Sequence, residues 1–152
     1  SNLLIVWCGD INNVLVSLMQ ASIIFNFNLN IASPQNILHQ RQDVINKYKS
    51  DKIKLFDNPH DAVVKADCVM SDIWVSMGKD DSNKKISLFE GFQINDILMT
   101  KAKNEALFMH CLPAHRNEEV TDSVIDGNKS IIWQQAKNRM FVQQSILKYC
   151  IT

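Results

Sequence analysis

The sequence predicts an α/β fold: a Rossmann-like doubly wound parallel sheet with helices on both faces. Three observations carry that prediction. Short apolar runs alternate with stretches of helical spacing along the whole chain. No internal repeat, low-complexity segment or flexible linker interrupts the alternation. Polar clusters follow three of the apolar runs, where loops leave the carboxyl ends of strands and where such sheets bind ligands. The 152 residues suit one domain spanning 1–152, or one half of a two-domain enzyme.

The elements follow in order. Leu3–Trp7 reads as a buried strand, closed by Gly9-Asp10. Asn12-Asn13 offers helix-capping side chains, and Val14, Leu18 and Ala21 give helical spacing over 13–25. Leu29–Ser33 is a second strand, stopped by Pro34, and a polar helix is expected over about 35–50. Ile53–Phe56 is a short strand. Asn58-Pro59 opens a helix over about 59–66, because Pro suits the first helical turn. Cys68–Ser71 is a strand, and 72–91 reads as a long exposed loop with room for a helical turn. Ile94, Ile97, Leu98 and Ala102 mark a helix, Leu107–Met109 a strand, and Glu118–Ile125 a short helix. Ile131–Trp133 is expected to form a last strand before a closing helix over about 134–150.

Composition narrows the function. Sixteen basic and 16 acidic residues leave no net charge, which argues against a general nucleic-acid binder or a polybasic membrane-surface protein. No apolar run approaches the ~20 residues of a membrane helix, and no basic-then-apolar leader is visible. Cys8, Cys68, Cys111 and Cys150 are far apart and lack a CxxC pairing, so they read as reduced thiols of a cytoplasmic protein.

Each polar cluster has a structural and a functional reading. Gly9-Asp10-Ile11-Asn12-Asn13 lacks the second and third glycines of a dinucleotide turn. It is either a strand exit with an Asn cap, or a place where an Asn amide at a helix N-terminus holds a carboxylate. Asp72-Ile73-Trp74-Val75-Ser76-Met77-Gly78 is either an ordinary loop or the seat of an amino acid. In the second reading the acid takes an ammonium, and Ser76 with the following N–H groups takes a carboxylate. His110-Cys111-Leu112-Pro113-Ala114-His115-Arg116 sets a thiol at a strand end. For a Cys–His nucleophile His110 is poorly placed, because His110 and Cys111 are adjacent and face opposite ways on a strand, which leaves His115 as the base. A zinc site from His110, Cys111 and His115 lacks a fourth ligand. A Cys that orients substrate without a covalent bond remains, as does a buried thiol beside a proline turn. A cis Leu112–Pro113 bond would turn the carbonyls of Cys111 and Leu112 toward a ligand. Arg139 suits a phosphate or a carbonyl oxygen, or is an exposed helix residue.

These segments, WCGDINNV, DIWVSMG, HCLPAHRNEEVTD and QAKNRMFVQQSIL, resemble in this order the second, ornithine-binding domain of the ornithine carbamoyltransferases. The resemblance spans nearly the whole chain, and the SMG motif points to ornithine among the family's amino-acid and amine substrates. It implies that Asn13, Asp72, Ser76 and Met77 bind L-ornithine, with Asp72 on the α-ammonium. It implies that Cys111 is catalytic and faces the δ-amine, and that Cys111, Leu112 and Arg139 contact carbamoyl phosphate. It further implies carbamoyl transfer giving citrulline in arginine metabolism, no cofactor or metal, and a homotrimer for the intact enzyme. One departure is Ile11, where the family usually carries glycine. The Ser-Thr-Arg-Thr and His-Pro-x-Gln motifs of the first, carbamoyl-phosphate-binding domain are not found here. The chain is therefore expected to be inactive alone. The alternative is a regulatory or interaction domain that keeps the fold.

Overall fold

A computed structural model describes residues 2–75 and 86–151. Among them, five strands form one all-parallel sheet: β1 (Leu4–Cys8), β2 (Asn28–Ala32), β3 (Ile53–Phe56), β4 (Cys68–Ser71) and β5 (Leu107–His110). The spatial order is β3-β2-β1-β4-β5, so the winding reverses at β1. Trp7 of β1 lies opposite Ile31 of β2 on one side and Met70 of β4 on the other. Right-handed crossovers put the helices of the two halves on opposite faces. The crevice between the carboxyl ends of β1 and β4 is thus the switch point where a ligand is expected.

The helices that lie wholly among the described residues are α1 (Asn13–Ile24), α2 (Gln35–Gln40), α3 (Gln42–Lys47), α4 (Pro59–Ala62), α5 (Asp96–Thr100), α6 (Asp122–Ile125) and α7 (Ile132–Ile151), and residues 86–88 are also helical. α1 starts because the Asn12 side chain accepts from the N–H groups of Val14 and Leu15. It buries Leu15 and Met19 against a sheet whose Trp7, Leu29, Ile31, Val69 and Phe108 are fully buried. Each such side chain contributes roughly 1.5–3 kcal/mol by leaving water.

Five expectations need correction. The single helix over 35–50 is two, broken at Arg41 (φ −108°, ψ 21°), which stands outside helical geometry. The helix from Pro59 is one turn; three residues past its end, Lys65 takes φ +63°, a left-handed conformation that a right-handed helix cannot continue through. The stretch to residue 91 is not all exposed loop, because the Phe89 ring is buried and stacks on Trp74 at 5.1 Å. Ile94 pairs with Val120 in an isolated bridge, and α5, capped by Asn95, begins at Asp96, two residues later than the apolar spacing suggested. Ile131–Trp133 is not a strand. Only Ser130 bridges Phe108; the Ile131 N–H donates to Phe108, and α7 begins at Ile132.

Candidate functional site

The three polar clusters converge at the carboxyl ends of β1, β4 and β5. β1 leaves the sheet through Gly9, whose φ of +148° strongly favours glycine. The Ser71 hydroxyl closes the gap between the separating strands by donating to the Cys8 carbonyl at 2.7 Å. Ile11 is buried in the core, which seats the loop so that Asn12 arrives at the helix start.

Asp72 stands at the centre of this crevice. Its Oδ2 accepts from Asn12 Nδ2 at 2.8 Å, and its Oδ1 accepts from its neighbour Ile73 N at 2.8 Å. The Cys111 thiol donates to the same Oδ1 at 3.0 Å. That thiol is pushed up from 9.0 to about 12, first by desolvation, then by its bond to Asp72 and by the Asp72 charge; the field of Arg139 opposes this. Cys111 is therefore a protonated thiol at neutral pH, unsuited to nucleophilic attack.

The segment after β5 is held from below. His110 is buried, its N–H donates to Gln135 Oε1 at 3.0 Å, and its Nδ1 accepts from Leu112 N at 3.0 Å. As an acceptor at Nδ1, a neutral imidazole carries its proton on Nε2. Nε2 stands 3.2 Å from Oε1 of the buried Glu119, off the line of a hydrogen bond. Glu119 Oε1 also accepts from His115 N at 2.6 Å. Leu112 has φ +56°, and the Leu112–Pro113 bond is cis. His110 Nδ1 is taken by Leu112 N and its Nε2 faces Glu119, while His115 Nδ1 stands 3.4 Å from Glu118 Oε2, so neither imidazole is seen paired with the thiol as a Cys–His nucleophile requires. The ligand atoms of Asp72, His110 and Cys111 lie within 4.8 Å of one another. They suit a metal poorly, since the thiol proton, the Asp72 oxygen and His110 Nδ1 are already engaged with one another or with Leu112.

Cys111 and Arg139 line one open cleft of ≈ 750 Å³ with Ser17, Gln135 and Asn138. Of the residues singled out in the sequence, Asp72 and Cys111 come into direct contact, and Arg139 faces the same cleft. Asn13 is the exposed first residue of α1, and no contact to Asp72 is seen; its neighbour Asn12 makes that contact. Ser76 and Met77 lie outside the described residues. Sequence reasoning missed Asn12 as a donor to Asp72, and missed the Gln135–His110–Glu119 support. Gln135 and Glu119 did lie inside the matched segments, which was the available signal.

The family model for the aspartate/ornithine carbamoyltransferase Asp/Orn-binding domain matches residues 1–150. Curated ornithine carbamoyltransferases are similar over nearly the whole chain. That of Mesorhizobium japonicum is 46% identical over 148 residues, covering 97% of this chain and 49% of the relative. That of Ruthia magnifica is 47% identical over 152 residues, covering 99% and 50%. Among solved structures, ornithine carbamoyltransferase from Burkholderia thailandensis superposes with a TM-score of 0.84 at 34% identity, covering 97% of this chain and 47% of that one. The Pyrococcus furiosus enzyme gives 0.81 at 36% identity, covering 97% and 49%. The chain thus spans about half the length of the relatives it matches.

Proposed function

Because the chain belongs to the aspartate/ornithine carbamoyltransferases, as their Asp/Orn-binding domain, we propose that it is the L-ornithine-binding half of an enzyme that carbamoylates the ornithine δ-amine. The observation that carries the reading is the Asp72 carboxylate held by two donors with the Cys111 thiol on it, beside the cleft that Arg139 lines. Asp72 takes the α-ammonium of ornithine. Ser76, Met77 and Asn13 take its other polar groups. Cys111 meets the δ-amine, and Leu112, Cys111 and Arg139 meet carbamoyl phosphate. That second substrate is held mainly by a first domain outside this chain. The intact enzyme is a cytoplasmic homotrimer serving arginine metabolism.

In the reaction the δ-nitrogen lone pair attacks the carbamoyl carbon. A C–N bond forms, the bond from that carbon to the phosphate oxygen breaks, and inorganic phosphate leaves. The amine enters near a reference pKa of ~10.4, so it must shed a proton before or during attack. Cys111 is suited to relay it: the sulfur lone pair accepts from the amine while the thiol proton moves to Asp72. Arg139 offsets the negative charge that develops on the carbamoyl oxygen. Bringing both substrates together contributes most of the acceleration. Cys111→Ala in the two-domain protein tests the role: kcat/KM for ornithine is expected to fall by roughly 10²-fold, the low end of general acid–base effects. Unchanged ornithine kinetics would remove Cys111 from the mechanism.

A further inference from the structure

We propose that Asn12 is a positioning residue, which caps helix α1 with its oxygen and orients the Asp72 carboxylate with its nitrogen. The inference deepens the reading above and rests on it where ornithine is concerned. Asn12 Oδ1 accepts from Val14 N at 3.0 Å and from Leu15 N at 3.1 Å. Those two bonds decide which end of the amide is oxygen. A reversed amide would set its NH₂ against two N–H donors and turn an oxygen toward a carboxylate. The nitrogen must therefore face Asp72, and it donates to Oδ2 at 2.8 Å. Ile73 N and the Cys111 thiol take the other oxygen. The carboxylate is clamped from both ends, and the residue stays half-buried.

Capping alone does not call for asparagine. Asp and Ser cap as well as Asn, and Thr nearly so. Of the short capping side chains, only Asn joins an acceptor for the helix to an N–H donor on the same rigid group. The start of the 12-residue α1 also favours negative charge nearby. Asn12 and Asp72 are 60 residues apart, and the contact ties the loop after β1 to the loop after β4 across the switch point. Among the described residues, the titratable and charged groups near Cys111 are Asp72, which takes its hydrogen bond, Arg139 and His110, a ligand atom of which lies within 4.8 Å; of these Asp72 alone bonds the thiol, so Cys111 reports on where Asp72 sits.

The test substitutes Asn12→Ser, which keeps a capping oxygen but is too short to reach Asp72. Cys150→Ser serves as background, because Cys150 is exposed while Cys8 and Cys68 are buried. Iodoacetamide alkylation of Cys111 is followed against pH, beside the thermal midpoint. The midpoint is expected to hold. Asp72 swings away from the thiol, the thiolate forms more readily, and Cys111 reacts about tenfold faster at a given pH, a fall of one pK unit. Asp72→Asn also accelerates alkylation, and the double variant gains little over it. Alkylation unchanged by Asn12→Ser would overturn the proposal. If Asn12→Ser fails to fold, Asn12→Gly, which costs a cap only a few tenths of a kcal/mol, gives the same readout. In the two-domain protein the substitution is expected to raise KM for L-ornithine. Faster alkylation with an unaltered KM would overturn the assignment of Asp72 to ornithine while leaving Asn12 as the residue that orients it.

Discussion

The Cys111 thiol donates a hydrogen bond to Asp72, and burial together with that carboxylate moves its titration to about 12. Cys8 and Cys68 are likewise pushed up to about 12, first by desolvation. Each folded value lies above the unfolded 9.0, so each thiol contributes stability that is complete below 9.0. That contribution is lost as pH rises toward about 12, because the unfolded chain ionises first. Urea midpoints measured from pH 8 upward are expected to fall above pH 9.0, and Cys111→Ser to lessen the fall. A flat profile across that range would contradict the burial account. Asp72 and Cys111 were legible in the sequence because chemistry-bearing residues sat at strand ends in specific motifs. Asn12 as a donor was not, because its partner lies 60 residues away and its local context reads only as a cap. Glu119 was hidden for the same reason, as an acid in a polar run whose burial depends on β5 passing beneath it.

Helix α7 presents a different physical situation. Of its 20 residues only Ile132 is buried, while Met140, Phe141, Val142, Ile146, Leu147 and Tyr149 are exposed. Val142, Ile146 and Tyr149 fall on one side, and Trp133, Met140 and Leu147 on the other. A helix apolar on two sides is one that packs between surfaces. Polar replacement there is expected to cost little: Leu147→Gln should stay within about 0.5 kcal/mol, as surface changes do. Phe108→Ala, in the fully buried sheet, should cost about 3–5 kcal/mol. Chemical denaturation of both variants separates the two cases, and a large loss from Leu147→Gln would show that α7 already has a partner. Met140→Gln with Ile146→Gln is expected to reduce self-association in light scattering. All five strands were legible as apolar runs between turn signals. Their ends and the short helices were not, because Arg41 and Lys65 leave helical backbone geometry within stretches expected to be helical and Ile94 is taken into a bridge with Val120. The run at Ile131–Trp133 misled because a β-branched pair serves equally to start a helix whose first residue is buried.

At the scale of the molecule, charge is balanced and locally paired rather than directed at a polyanion. Asp122 and Asp126 are held below the usual carboxylate range, first by hydrogen bonds from Arg116. Asp67 is lowered by Lys103 and by the Leu4 N–H. Depressed carboxylates contribute stability that is present above their unfolded values near ~3.9 and is lost as pH falls through the folded ones. Acid unfolding below pH ~4 should therefore be blunted by Asp122→Asn with Asp126→Asn, as circular dichroism would follow. No helix among the described residues is long and apolar enough to cross a membrane. The account places an amino-acid half-site in this chain and most of the phosphate site elsewhere, so the chain alone should form no citrulline. The most direct measurement is an ¹⁵N–¹H titration of the chain with L-ornithine, with L-aspartate in parallel. Saturable shifts with L-ornithine at Asn12, Asn13, Asp72, Ile73 and Cys111, absent with L-aspartate, are the predicted result. Shifts that are equal for both amino acids, or that fall away from the β1–β4 crevice, would contradict the account.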